Sequence, residues 1–324
     1  MKRVIISEPH HLAVIDVEKP EAAAGEVLLK IHAVGICGSD LHTFEGMHPF
    51  VSYPVLPGHE VSGEIISVGD GVDAGLIGKK AVIEPSLPAG ENPRFEPGRY
   101  NISTGLRVMG FQAPGAMAEY FAAPLDRIHL LPDDFTHEQG AVVEPAAVAV
   151  HGVRLAGNIA GLHVAVVGAG TIGLLVAQVA AVYGAASVTV IDLMEERLVV
   201  ARKWGLNTAE SVAPSSYDVV FECVGVEAAL RASILGCRKG ATLIVMGVFA
   251  KDASIPAGLI QDWELKIQGS LMYVGDDYKE AIRLLKIGGI KIDYLITHRF
   301  PLAQAVAAFD KALERGAVLK VLIE

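Results

Sequence analysis

The stretch Leu162-His163-Val164-Ala165-Val166-Val167-Gly168-Ala169-Gly170-Thr171-Ile172-Gly173 decides the fold. Its first six residues are mostly β-branched or small and apolar, the pattern of a buried strand. The glycines then carry the chain from strand into helix. Gly168 permits the tight turn, Gly170 lets a pyrophosphate approach the backbone, and Gly173 permits close helix–sheet packing. Residues 174–183 continue as an apolar helix, so phosphates would sit over its N-terminus, with Thr171 and Ile172 as cofactor-binding candidates. Such a glycine pattern alone is a weak sign. Here it is answered by a second strand at 187–191 ending in Asp192, 19 residues after Gly173. An acid at that point binds adenosine ribose hydroxyls. Its charge repels a 2′-phosphate, which favours NAD over NADP.

Working outward, a helix at 195–204 and strands at 218–221, 242–246 and 265–268 continue the alternation of a doubly wound parallel sheet. Residues 1–147 have another character, with short strands at 26–31, 61–68 and 80–83 between Gly and Pro turns, which predicts mainly antiparallel β-structure. The stretch 85–114 is rich in Pro, Gly and Asn and reads as a long surface loop. Helices at 276–287 and 302–314 and a strand at 319–323 close the chain. The expected fold class is α/β, divided into 1–147, 148–271 and 272–324.

A chain of 324 residues with 52% apolar content and 34 glycines suits two domains with sizeable cores. A formal charge of -10 argues against nucleic acid or an anionic membrane as partners. The opening Met1-Lys2-Arg3-Val4-Ile5-Ile6-Ser7-Glu8 meets an acid too early for a signal peptide, and no apolar run is long enough to span a bilayer. The three cysteines, Cys37, Cys223 and Cys237, are too few and too far apart for a disulfide framework. A soluble cytoplasmic protein is expected.

Two further stretches carry chemistry: Gly35-Ile36-Cys37-Gly38-Ser39-Asp40-Leu41-His42 and Gly58-His59-Glu60. They offer a thiolate, an imidazole and a carboxylate, the donor types of a catalytic zinc with one position left open. Each residue alone has an ordinary reading, as a buried small hydrophobe, a strand start or a helix-terminal charge. A Lewis-acid metal beside a dinucleotide points to hydride transfer at an alcohol carbon.

Together these motifs resemble the zinc-dependent medium-chain alcohol dehydrogenases, most closely the sorbitol (polyol) branch, along nearly the whole chain. The resemblance implies a GroES-like catalytic domain, a Rossmann cofactor domain, and a tail returning to the first. It adds Glu144 as a second carboxylate candidate beside Glu60. The family's third ligand aligns with Glu144; in the polyol branch Glu60 coordinates, and the Glu144 counterpart holds the bound water or substrate. Asp40 then supports His59, Ser39 hydrogen-bonds the substrate oxygen, and His42 passes the proton outward. Arg197, Val224, Gly247, Val248 and Leu271 match cofactor-lining positions.

At the substrate positions the resemblance is looser. Thr43 and Met272 stand where sorbitol dehydrogenases have a tyrosine and an arginine, while Tyr273 and Glu144 are retained. The pocket is therefore expected to be more apolar, open to a secondary alcohol, polyol or sugar acid. Many family members hold a structural zinc by four cysteines in the 85–114 lobe. This chain has none there, so one catalytic zinc per chain is expected, with Phe95 and Tyr100 helping to pack the lobe. A helix usual in relatives between Trp204 and Tyr217 is missing from the sequence. The family also implies a homotetramer or homodimer. Two alternatives stand beside this reading: a zinc-free NADPH-dependent quinone or enone reductase, and a non-catalytic dinucleotide-binding protein.

Overall fold

The computed structural model describes residues 1–89, 98–314 and 316–324. The chain divides into two compact units, Met1–Glu144 with Val274–Lys286 and Ile296–Glu324, and Pro145–Tyr273 with Ile287–Leu295. The tail is thus shared between units, because Ile287–Leu295 belongs to the second. There Gln178 accepts from the Lys291 backbone N–H at 2.8 Å and donates to its carbonyl.

The first unit is built on a seven-stranded sheet. The strands Ile296–Phe300, Lys320–Ile323, Glu26–Ile36, Glu60–Val68, Lys80–Ile83 and Ile128–Leu130 follow in that order, and Tyr120–Pro124 pairs with Glu26–Ile36. The register matters for the site: Gly35 faces Glu60 across one ladder, and Val321 faces Ile36 across the other. Val27, Leu29, Ile65 and Met117 are fully buried beneath the sheet. Burying such side chains is worth about 1.5–3 kcal/mol each. That core fixes the strand ends from which the functional residues project.

The expected long loop contains local order. Ser86–Leu87 pairs with Arg107–Val108, and a 3-10 turn forms at Tyr100–Ile102. Tyr100 contributes through its hydroxyl, which donates to the buried Glu84 carboxylate; Arg127 and His129 reach the same carboxylate at 3.3 and 2.9 Å. Phe95 lies outside the described residues. The expected 302–314 helix is split into a 3-10 turn, Leu302–Gln304, and the helix Ala305–Leu313.

The second unit is a six-stranded, wholly parallel sheet. Its order is Asn207–Ala209, Ser187–Ile191, His163–Val167, Tyr217–Glu222, Cys237–Val245 and Lys266–Gly269. The order reverses at His163–Val167, the switch point where such sheets bind dinucleotides. The strand at Asn207–Ala209 is retained, and no helix separates it from Tyr217. Among the described residues no helix is long and apolar enough to cross a membrane.

Candidate active site

The candidate metal-ligating residues sit at strand ends of the first unit. The Glu26–Ile36 strand stops at Cys37, whose extended backbone (φ -94°) turns the chain into the helix Gly38–Phe44. Asp40 locks this turn by accepting from the Cys37 backbone N–H at 2.9 Å. His59 follows Gly58, which has φ +106° and lies so near Met117 that a Cβ would approach its backbone nitrogen to 2.4 Å. Only glycine fits that crossing.

Donor atoms of Cys37, His59 and Glu60 all lie within 4.8 Å of one another, and His59 and Glu60 are buried. Glu144 is buried in the first turn of the helix Val143–Leu155 and is not part of this group. His59 Nδ1 faces Asp40 at 3.6 Å, and among the described residues neither it nor Asp40 Oδ1 has a hydrogen-bond partner. That leaves Nε2 as the ring nitrogen free to ligate while Asp40 orients the imidazole. Burial alone would push the His59 pKa down, but Asp40 and the Cys37 sulfur raise it well above the ordinary value. Sulfur, imidazole nitrogen and carboxylate oxygen are the donor types zinc takes, so the donor set fits a divalent zinc.

Lys320 was not legible as a site residue. Its Nζ reaches both Glu60 oxygens at 2.6 Å and the Ile36 carbonyl at 3.1 Å, with only 2% of the residue exposed. Burial lowers its pKa, but Glu60, Cys37 and Glu144 outweigh this and raise it. The one hint was a lone lysine inside the apolar run Leu319-Lys320-Val321-Leu322-Ile323. Gly35 was also missed as a spacer: a Cβ there would stand 1.9 Å from Glu60 Oε2.

Ser39 Oγ lies 3.2 Å from the Cys37 sulfur, and His42 occupies the last turn of the same helix, half-buried. Thr43 is buried, and its hydroxyl donates to the Ser39 carbonyl at 2.9 Å. Its hydroxyl proton is thus used within the helix, while the oxygen keeps its capacity to accept.

In the second unit the glycine loop has the expected form. Gly168 has φ +103°, Gly170 caps the helix Thr171–Val182, and a Cβ on Gly173 would approach the Gly168 carbonyl to 1.8 Å. Asp192 braces this loop: its carboxylate accepts from the backbone N–H groups of Ala169 at 2.7 Å and Met194 at 2.9 Å. Arg197 is half-buried in the helix Glu195–Lys203. Val224, Val248 and Leu271 are exposed just beyond three neighbouring strand ends, the edge where parallel sheets take ligands. Leu193, 91% exposed beside Asp192, shares this edge and was not anticipated.

Glu222 was also missed. Fully buried at the end of Tyr217–Glu222, it accepts from the N–H groups of Val224 and Gly225 at 2.9 Å each. Gly247 packs against the same turn, where a Cβ would stand 2.1 Å from Gly225 N. Burial raises the Glu222 pKa. Met272 has a left-handed backbone (φ 50°), and Tyr273 is fully buried.

Residues 23–133 match the alcohol dehydrogenase GroES-like domain, and 171–286 match the zinc-binding dehydrogenase domain. The chain belongs to the zinc-dependent medium-chain alcohol dehydrogenase family. This dehydrogenase is 35% identical to sorbitol dehydrogenase from Gallus gallus, over 94% of its own length and 91% of the relative's. It is 33% identical to D-xylulose reductase from Saccharomyces cerevisiae, over 95% and 93%. Galactitol-1-phosphate dehydrogenase from Escherichia coli superposes with a TM-score of 0.90 at 31% identity, covering 100% of this chain and 99% of that one. The family and the Cys37–His59–Glu60 group speak against the zinc-free and non-catalytic alternatives.

Proposed function

We propose that this dehydrogenase oxidises a secondary alcohol or polyol with NAD and holds one zinc ion per chain through Cys37, His59 and Glu60. The observation that carries the reading is the buried sulfur–nitrogen–oxygen donor set within 4.8 Å. Glu60 is preferred to Glu144 as the third ligand because only Glu60 belongs to that group. A zinc ion bound there supplies Lewis-acid polarisation of the alcohol oxygen and makes its hydroxyl more acidic.

The chain's own residues do the rest. Ser39 hydrogen-bonds the substrate oxygen and relays its proton, giving up its own as it takes the substrate's, and His42, from the same short helix, passes the released proton towards solvent. Asp40 keeps the His59 ring oriented. Glu144 holds the substrate or a water. Asp192 binds the ribose hydroxyls and repels a 2′-phosphate, which favours NAD; Arg197 adds a contact on the adenosine side. Gly247 and the exposed Val224, Val248 and Leu271 line the cofactor, and Met272 and Tyr273 border the substrate. The polyol names of the relatives support a hydroxylated substrate.

The test is elemental analysis with an NAD-reduction screen over secondary alcohols and polyols. One zinc per chain and reduction of NAD are expected, with Cys37→Ala losing both zinc and turnover while keeping NAD binding. A Cys37→Ala variant that retains most of its rate rules the reading out. We also propose a homodimer or homotetramer. The strand Lys266–Gly269 is a sheet edge with all four residues exposed, a surface open to pairing with a second copy. A monomer mass by light scattering at micromolar concentration counts against it.

A further inference from the structure

Three aromatic rings in the first unit follow one another, the first pair tilted by 43° and the second stacked. The His59 ring contacts Phe111 at 4.9 Å, and Phe111 stacks on His48 at 4.8 Å with the two planes 14° apart. His48 belongs to the segment after the helix Gly38–Phe44, and its placement is held from several sides. The backbone N–H groups of Met47 and His48 both donate to the His42 carbonyl, at 2.8 and 3.1 Å. The Phe50 N–H donates to His48 Nδ1 at 3.3 Å, and the Phe50 carbonyl accepts from Gln112 Nε2 at 2.9 Å. Gln112 neighbours Phe111, so one short segment holds both the ring under His48 and the turn beside it.

This arrangement fixes the chemistry His48 can offer. Because Nδ1 accepts, the neutral ring carries its proton on Nε2. That N–H has no hydrogen-bond partner among the described residues. Burial, with His42 and His59 nearby, keeps the ring's pKa below the ordinary histidine value despite Asp40. A half-buried, stacked imidazole with a free donor, one ring away from a metal-site histidine, is a poor candidate for mere surface solvation. Meanwhile Thr43, expected to meet the substrate, donates its hydroxyl proton to the Ser39 carbonyl.

We propose that His48 is a specificity-determining residue: its Nε2–H donates to a hydroxyl oxygen carried beyond the reacting carbon, selecting polyhydroxy alcohols over simple secondary alcohols. This rests on the alcohol-oxidation reading above and extends it. Two successive ring contacts, 4.9 and 4.8 Å, keep His48 in the neighbourhood of His59, within the reach of a hydroxylated chain held at the site. Phe111 is the apolar wall against which the carbon chain lies.

The test uses the zinc-loaded full chain at saturating NAD with three probes: 2-butanol, 2,3-butanediol and xylitol. Wild type should favour the two hydroxylated probes in kcat/KM. In His48→Leu the ratio of each to 2-butanol should fall about tenfold, the weight of one hydrogen bond. His48→Gln, which keeps an N–H near the Nε2 position, should recover part of it. Calorimetric binding of xylitol to the enzyme–NAD complex should weaken in step while zinc content stays at the wild-type level. A ratio unchanged in His48→Leu, or an equal fall for all three probes, overturns the proposal and leaves alcohol oxidation standing. A zinc-loaded wild type that oxidises none of the three sinks both readings.

Discussion

Lys320 Nζ stands 2.6 Å from both carboxylate oxygens of Glu60, and both side chains are nearly inaccessible to solvent. The carboxylate proposed as a zinc ligand thus already has a buried counter-charge, delivered by the last strand of the chain. Both groups were taken out of water together, so removing one strands the other. Breaking such a pair costs about 3–5 kcal/mol.

Lys320→Met is therefore expected to destabilise the zinc-free protein by about 3–5 kcal/mol. Zinc should restore more stability in the variant than in wild type, because the metal becomes the only cation left for Glu60. Denaturant unfolding with and without zinc measures both. An equal zinc increment in the two proteins would mean that Glu60 does not share its charge between lysine and metal.

Gly35→Ala tests the same carboxylate from the other side. The added Cβ would lie 1.9 Å from Glu60 Oε2, so the carboxylate must shift while the strand backbone, at a position that demands no left-handed φ, remains. Zinc affinity should fall about 10–100-fold, the cost of disturbing a ligand's support. Competition against a chromogenic chelator reads it. Wild-type affinity would show that Glu60 holds the metal weakly or not at all.

These two residues mark where sequence reading stops. The glycine loop, Asp192 and the Cys37 and His59 stretches were legible because each is a local pattern whose chemistry is written in its own residue types. Lys320 lies 260 positions from Glu60. The two meet only because Val321 pairs with Ile36 while Gly35 pairs with Glu60, a register that no local pattern encodes. The bond from the Thr43 hydroxyl to the Ser39 carbonyl was not legible because a helix of seven residues, Gly38–Phe44, has too few turns to show a period. Glu222 was missed because an acid at a strand end gives no sign that its Oε1 caps the following turn.

Asp192→Ala should shift coenzyme preference. The substitution removes the charge that opposes a 2′-phosphate and the acceptor for the Ala169 and Met194 N–H groups. NAD should weaken and NADP gain, moving the ratio of their kcat/KM values about tenfold or more towards NADP. An unmoved ratio would mean that the carboxylate serves the loop alone and does not meet the ribose.

The last prediction concerns acid stability. His32 and His137 stack at 4.2 Å with planes 14° apart, and Ser62 Oγ lies 3.0 Å from His137 Nδ1. Burial first, then His32 and Lys80, pushes the His137 pKa down to about 4. His32 is lowered too, by burial and Lys30, against the opposing pull of Glu64. Both rings therefore bind protons more tightly in the unfolded chain, whose histidines titrate near 6.5. Where the unfolded state holds more protons, stability rises with pH. The contribution of this pair is complete above about pH 6.5 and is lost progressively as pH falls towards 4. His137→Gln removes one titrating ring and one half of the repulsion. Its unfolding free energy should therefore fall less steeply than that of wild type between pH 6.5 and 4, whatever its value at pH 8. Parallel slopes for the two proteins across that window, from urea unfolding at each pH, would show that the stacked pair stays neutral at no cost to the fold.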